Sequence, residues 1–454
     1  MLQLGFLSSF IESVNINIRI VKDDIAMTSM TITEKILARA SGKDQVAPGD
    51  VVFANVDKAM MHDVSGPGAK VVLDEVVKEG GEIKIWDPSR VWMVEDHFVP
   101  CSDIQAAGNM ETMEKMAKDW GITRYYRFGK GQHGICHTLA TEDALVLPGE
   151  VYTGGDSHTN SAGALGLFAV GLGHTDLAYV LLNGKIWFRV PETILFKIDG
   201  PMPAHSMAKD LILKIIGQIG VDGANYKTMQ FTGSTVTEME MDERLTLTNM
   251  STEAGAKNGI IEPDKKTFEH IDSRTQEKYT PVYGDSDCQY ADTLNFDGSK
   301  IEPMVARPFS PQNVCPAREV SNIEIDRAYI GSCTGAKIQD LREAAKIMKG
   351  HKVKVRTEVL PAAHSIYKKA IDEGLISIFV DSGALIGPST CGACCGAHMG
   401  VLGKSEVCVS TTNRNFPGRM GHVESQTYLA SPKTVAASAI TGRITDPRDL
   451  DGKM

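Results

Sequence analysis

The sequence predicts an α/β protein whose parallel sheets are layered with helices and divided among three domains. Three observations carry that reading. Strand-like apolar runs alternate with helical ones along most of the chain, which is the pattern of βαβ units. At 454 residues the chain is too long for one simple core, since single cores stop growing at roughly 250–300 residues. The clearest unit, residues 323–330, then Gly331-Ser332-Cys333-Thr334-Gly335, then residues 337–348, reads as strand, turn and helix. It sets Cys333 at the carboxyl end of a strand, where open α/β sheets hold ligands.

Taken in order, the chain begins with an N-terminal extension over residues 1–29. Its apolar run at residues 4–10 has no basic segment before it, meets Glu12 soon after and is far too short to span a bilayer, so it makes a poor signal peptide. At Thr31-Ile32-Thr33-Glu34 the spacing of threonine and glutamate is that of a capping box, so the first helix is expected there and the first domain over residues 30–199. That domain holds His62-Asp63, Asp96-His97, Cys136-His137 and Asp156-Ser157-His158. Four such turns use up many of only 12 histidines. A carboxylate that holds one ring nitrogen leaves the other free to move a proton. Asp156-Ser157-His158 is no hydrolase triad, because adjacent residues cannot line up as nucleophile, base and orienter. His133 and His137 lack the HExxH carboxylate and fall in a Gly-rich stretch, which argues against zinc.

A second, smaller domain is expected over residues 200–320. Its informative stretch is Leu247-Thr248-Asn249-Met250-Ser251-Thr252-Glu253, read as a short helix that puts Asn249 and Glu253 on one face at i, i+4. Residues 263–320 are turn-rich and carry no chemical signal. The third domain, residues 321–454, continues the alternation with strands at 353–360 and 376–381 around a helix at 362–372. It closes on Ser431-Pro432 opening a helix that Gly442 ends.

Composition narrows the function classes. A net charge of -10 argues against nucleic acid as the main partner, because phosphate binding rests on clustered basic residues. Nine irregularly spaced cysteines do not form a secreted disulfide framework and fit a reducing, cytoplasmic setting. Cys101, Cys288, Cys315 and Cys408 read as structural thiols.

Cys333 and the pair in Thr390-Cys391-Gly392-Ala393-Cys394-Cys395-Gly396 are different. Each stands among small residues that admit a bulky inorganic group. A CxxC pair alone is equally compatible with a metal, a redox dithiol or neither. Three thiols is an informative count, because structural zinc and electron-transfer cubanes want four ligands, so three leave one metal corner open to substrate. Shortly after comes the apolar run 407–409 and the loop Thr411-Thr412-Asn413-Arg414-Asn415-Phe416-Pro417-Gly418-Arg419. Pro417-Gly418 forbids a helix there, so Arg414 and Arg419 can converge only from a loop. Cys395 is positioned to line such a site without binding metal.

GSCTG, CGAC and NRNFPGRMG, in this order, closely resemble the aconitase superfamily of iron–sulfur hydro-lyases, and the wording VCVSTTNRNFPGRMGH most resembles its 3-isopropylmalate dehydratase large-subunit branch. The resemblance runs from about Met30 to the C-terminus. It implies an aconitase-like fold of three α/β domains around one [4Fe-4S] cluster, with Cys333, Cys391 and Cys394 as ligands. It implies that Asp96, His97, His137, Asp156, His158 and Glu253 are catalytic, and that His62, Asn249, Asn413, Arg414 and Arg419 bind substrate. His62 stands where aconitase itself has glutamine. A mobile fourth domain with a catalytic serine closes the cleft in the family, and no matching stretch follows the third domain here. A separate small subunit is therefore expected to supply it. The activity implied is the interconversion of 2- and 3-isopropylmalate by dehydration and rehydration. The alternatives are the homoaconitate, methylmalate or maleate branches, whose selecting loop would sit on the small subunit, and, from other classes, a redox carrier or an RNA-binding iron sensor. A carrier would not need the Asp/His sets and the arginine pair, and an RNA binder should show a basic face.

Overall fold

Thr31 and Glu34 start the fold as their spacing predicts. The Thr31 hydroxyl accepts from the Glu34 N–H and the Glu34 carboxylate accepts from the Thr31 N–H, capping the helix Ile32–Ser41. The structure, a computed structural model, describes residues 29–450. The expected extension and its apolar run at residues 4–10 lie outside the described residues.

Four sheets follow. The first has five parallel strands in the order Arg124–Tyr126, Val91–Val94, Lys58–His62, Val151–Gly154, Phe168–Gly171. Its three central strands are buried on both faces, as parallel sheets between helices must be. A two-stranded antiparallel ribbon, Val51–Asn55 with Lys185–Arg189, lies outside it. The second sheet is also parallel, in the order Asn258–Ile261, Thr228–Thr232, Thr193–Asp199, Asp292–Asp297. The third has seven strands. Five run parallel in the order Gln426–Ala430, Val407–Ser410, Arg327–Ile330, Arg356–Val359, Leu385–Ile386, and Met304–Ala306 with Val314–Pro316 adds an antiparallel pair at one edge.

Two expected domain limits fall inside these sheets. Thr193–Asp199 precedes residue 200 yet pairs on both sides within the second sheet. The two strands between residues 304 and 316 precede residue 321 yet extend the third. Expected strand 376–381 is a helix, Leu375–Ser382, which Gly383 ends in a left-handed conformation, and the strand is the short Leu385–Ile386 after it. A short apolar run has no period that separates the two states. The closing helix Pro432–Thr441 forms with Gly442 as its left-handed stop, but Ser431 makes no side-chain capping bond to the backbone, its hydroxyl meeting that of Thr434 instead.

The cores explain why the sheets face one another. Met60, Trp92 and Tyr152 of the first sheet share one apolar cluster with Ala328, Ile330 and Val409 of the third. Met304, Ala306 and Leu429 of the third pack with Phe196, Met229 and Phe231 of the second. The strand ends of the first and third sheets are thereby held on a common seam. None of the described helices is long and apolar enough to cross a membrane.

Candidate active site and metal centre

Three neighbouring strands of the first sheet end together. His62 is the last residue of its strand, Asp96 and His97 follow Val91–Val94, and Asp156 follows Val151–Gly154. Asp63 shapes the middle loop. Its Oδ1 accepts from the N–H groups of Asp96 and His97 at 3.2 and 3.0 Å, and its Oδ2 from that of Phe98 at 2.8 Å. His137 does not sit in a Gly-rich loop, as its neighbours suggested, but in the first turn of the helix Cys136–Glu142. His133 is apart from it, packed edge-on to Phe128 at 4.8 Å and beside His364.

The charges of these groups are set by one another. His97 Nδ1 meets Asp96 Oδ1 at 2.7 Å, and Nε2 lies 3.6 Å from Asp156 Oδ2. Burial alone would lower the imidazole, but Cys391, Asp96 and the bonds to Asp156 and Asp96 outweigh it and hold His97 well above the usual range. His62 stacks on it at 4.1 Å. Burial, then the His97 charge, push His62 down to about 4. It is therefore neutral, with Nδ1 accepting from Val64 N–H and Nε2 donating to the Gly155 carbonyl, both at 3.2 Å. Asp156 Oδ1 accepts from His137 Nε2 and from the His158 N–H, each at 2.8 Å. Burial would raise this carboxyl, but His137 and the bonds from His137, His158 and His97 hold it well below the usual range.

The second sheet contributes from a helix end. Met241–Met250 tightens into the 3-10 turn Ser251–Ala254, so Asn249 closes one and Glu253 lies in the other, not on one regular helix face. Glu253 accepts from His158 Nε2 at 2.8 Å and from Arg414 Nε at 2.9 and 3.0 Å. Burial would raise it, and these two partners bring it below its ordinary value.

The thiols come from the third sheet. Cys333 follows Arg327–Ile330, and Asn413 with Arg414 follows the adjacent parallel strand Val407–Ser410. The Thr411 hydroxyl joins the two strand ends, accepting from the Gly331 N–H at 2.9 Å and donating to its carbonyl at 2.8 Å. Gly335 lies so close to Thr411 that a Cβ there would sit 2.1 Å from the Thr411 Cβ, which is why the turn is built of small residues. Cys391 caps the 3-10 turn Gly392–Cys395 and Cys394 lies within it. The Asp96 carbonyl accepts from the Cys391 N–H at 2.9 Å and from the Thr390 hydroxyl at 2.8 Å, fastening this turn to the His97 loop.

Two carboxamides link the sulfurs. Asn249 Nδ2 donates to Cys333 Sγ at 3.0 Å and Asn413 Nδ2 to the same sulfur at 3.4 Å, while the Cys394 thiol meets Asn413 Oδ1 at 3.3 Å. All nine cysteines are free. Burial, then Cys394, push Cys333 up to about 11, and burial carries Cys391 well above its ordinary value. Such thiols ionise only for a cation that binds them. Two sulfurs on one zinc-sized ion are at most about 4.6 Å apart. Among the described residues, the groups of three or more donors that all lie within 4.8 Å of one another are made of His and Asp side chains, and the thiol trio is not among them. As placed, the trio is too widely spaced for one zinc-sized ion.

A cavity of about 560 Å³ opens over this seam, and His62, His97, Asp156, Cys395, Arg414 and Arg419 are in its wall. Arg419 Nε is buried without a partner among the described residues, as expected of a group built to meet an anion. Asp96, His137, His158, Glu253, Asn249, Asn413 and the three thiols stand behind that wall. Phe98 and Ser157 also line the cavity and were not foreseen, nor were the loop-shaping role of Asp63 and two buried lysines, Lys209 and Lys337. Of the thiols read as structural, Cys315 and Cys408 are buried, but Cys101 is exposed, so core packing cannot be its role.

Known proteins resemble the chain over nearly all of its length. The profile of the Aconitase family (aconitate hydratase) matches residues 34–321 and 316–442. A "3-isopropylmalate dehydratase large subunit 1" of Methanopyrus kandleri is 47% identical over 420 residues, covering 92% of this chain and 99% of its own. The "3-isopropylmalate dehydratase large subunit" of Aquifex aeolicus is 47% identical, covering 93% and 98%, and that of Heliobacterium modesticaldum 48% identical, covering 93% and 100%. The crystal structure of Thermococcus kodakaraensis aconitase X (holo-form) has the same fold at 13% identity, with a TM-score of 0.50 over 90% of this chain and 95% of that one. On the profile and these relatives, the chain belongs to the aconitase family.

Proposed function

We propose that this chain is the large subunit of a 3-isopropylmalate dehydratase, an iron–sulfur hydro-lyase of leucine biosynthesis. It interconverts 2- and 3-isopropylmalate by removing and returning water. The observation that carries the reading is the convergence, at one cavity, of an ion-paired His97 and two arginines in its wall, with three free thiols behind it. Relatives of nearly full length that bear this name support it.

In this reading Cys333, Cys391 and Cys394 hold one [4Fe-4S] cluster, with Asn249 and Asn413 bonded to the sulfur side. When bound, the cluster supplies a Lewis-acidic iron whose open position polarises a substrate hydroxyl. Arg414, its guanidinium fixed by Glu253, and Arg419, whose Nε is unpartnered, hold a substrate carboxylate and orient the molecule. His97 keeps a proton because Asp96 and Asp156 flank it. As the C–O bond breaks, that proton passes to the departing hydroxide, which leaves as water. His62, neutral and stacked on His97, cannot compete as an acid. It fixes the ring plane. His137 and His158 hold Asp156 ionised through the same exchange. The proton alpha to the carboxylate goes to a base that this chain does not supply in our reading. It belongs to the serine of a small-subunit partner, which closes the cavity and selects the substrate. The pair is proposed to act in a reducing, cytoplasmic setting.

The test is anaerobic reconstitution with iron, sulfide and a small subunit, followed by assay on 2-isopropylmalate, homoaconitate, methylmalate and maleate. Turnover of isopropylmalate above the other three is expected. An intact cluster with no turnover of isopropylmalate would refute the proposal.

A further inference from the structure

We infer that Lys209 is the built-in counter-charge of the thiolate centre, an interior cation that offsets the negative charge of three cysteinates and so raises the reduction potential of the centre and slows its loss. This rests on the reading that Cys333, Cys391 and Cys394 hold an iron–sulfur cluster.

Lys209 opens the helix Ala208–Ile219, whose other buried residues are mostly apolar: Leu211, Ile212, Leu213, Ile215 and Ile216. A lysine there is not a solvated face. It is 1% exposed, and its ammonium donates to the carbonyls of Thr412 and Thr411 at 2.7 and 3.0 Å and to the Thr334 hydroxyl at 3.3 Å. Those acceptors belong to the two strand ends that present Cys333 and Asn413: Thr334 is next to Cys333, and Thr412 and Thr411 are one and two residues from Asn413. All three are neutral.

The second buried lysine makes the contrast. Lys337 also reaches the cysteine turn, donating to the Cys333 carbonyl at 3.2 Å, but it has its own carboxylate, Asp340 at 2.8 Å. Among the described residues, Lys209 has no carboxylate as a hydrogen-bond acceptor. An interior ammonium without a counter-ion is strongly unfavourable. Burial, then Lys337, push this ammonium down to about 7, and the charges that act against them are, in order, Cys394, Cys333 and Asp340, of which Asp340 is already paired. The missing counter-ion is thus the thiolate set itself. Hydrogen bonding alone would not need a charge, since a neutral donor would tie the same carbonyls.

That difference gives the test. In Lys209→Gln a donor remains and the charge is gone, whereas Lys209→Met loses both. The full-length chain and both variants are reconstituted anaerobically, analysed for iron and sulfide, titrated with dithionite under EPR detection, and followed for iron release to a chelator. One-electron reduction adds negative charge, so a nearby cation favours the reduced form. Both variants are expected to move to a more negative potential by a similar amount and to release iron several-fold faster, with unchanged far-ultraviolet circular dichroism. A glutamine variant that folds, binds a full complement of iron and sulfide and keeps the wild-type potential would reduce Lys209 to a hydrogen-bonding anchor and overturn the inference. A wild-type chain that takes up no cluster fails at the first analysis, and sinks the underlying reading along with this one.

Discussion

Glu253 is the residue on which two others depend. His158 and Arg414 both donate to it, and it is buried. In Glu253→Gln one of those donors faces an amide N–H₂ in place of an acceptor, and Arg414 loses its charged anchor. Removing one partner of a buried charge pair costs about 3–5 kcal/mol, part of which relaxes. Steady-state kinetics are expected to show kcat/KM down by roughly 10²–10³-fold, with circular dichroism unchanged. At this scale the thiols, the Asp/His sets and the arginines were legible because they stand in short contiguous motifs. Asp63 was legible as a letter but not as a role, since its partners lie 33 to 35 residues on. Lys209 left no signal, because its partners lie 125 to 203 residues away and a lysine in an apolar helix reads as a surface position.

Among the elements, the turn that carries Arg419 is the most tightly specified. His422 N–H donates to the Leu402 carbonyl and Leu402 N–H to the Met420 carbonyl, both at 2.9 Å, so the turn is laced to a neighbouring segment. Gly421 between them has φ +147°, and a Cβ there would lie 2.4 Å from both the N and O of Leu402. No backbone can yield that much in place. Gly421→Ala is expected to displace Arg419 and raise KM for the hydroxy acid about 10-fold or more, since ångström-scale misplacement is costly. Iron and sulfide content should stay unchanged. A KM within error of wild type would show that Arg419 is held by something else. Pro417-Gly418 announced this turn in advance, whereas the helix at 375–382 was concealed by an apolar run too short to show a period.

For the whole molecule, the alternation of strand and helix disclosed the parallel sheets, but it could not assign strands to sheets. Thr193–Asp199 and the two strands between 304 and 316 are read correctly only once pairing is known, because sheet membership is set by contacts distant in sequence. Such long-range joints also govern stability. His270 Nε2 donates to the Thr141 carbonyl at 3.0 Å, docking the helix Lys265–Asp272 on the end of Cys136–Glu142. Burial, then Arg274, push this imidazole down from 6.5 to about 4. A depressed imidazole favours the neutral ring in the folded state only. The stability it contributes is complete above pH 6.5 and drains away as pH falls toward 4, by on the order of 3 kcal/mol. Urea unfolding across that window is expected to be less pH-dependent in His270→Gln, whose amide can still donate to Thr141. An acid limb identical to that of the wild type would assign the loss to other groups.

The donors come from strand ends, helix starts and short turns that belong to three sheets, and no one sheet carries them all. No piece of the chain therefore inherits the chemistry. A proteolytic fragment that keeps its own sheet intact arrives without half of the groups it needs, so breakdown of damaged copies leaves inert debris and no slow, unselective remnant.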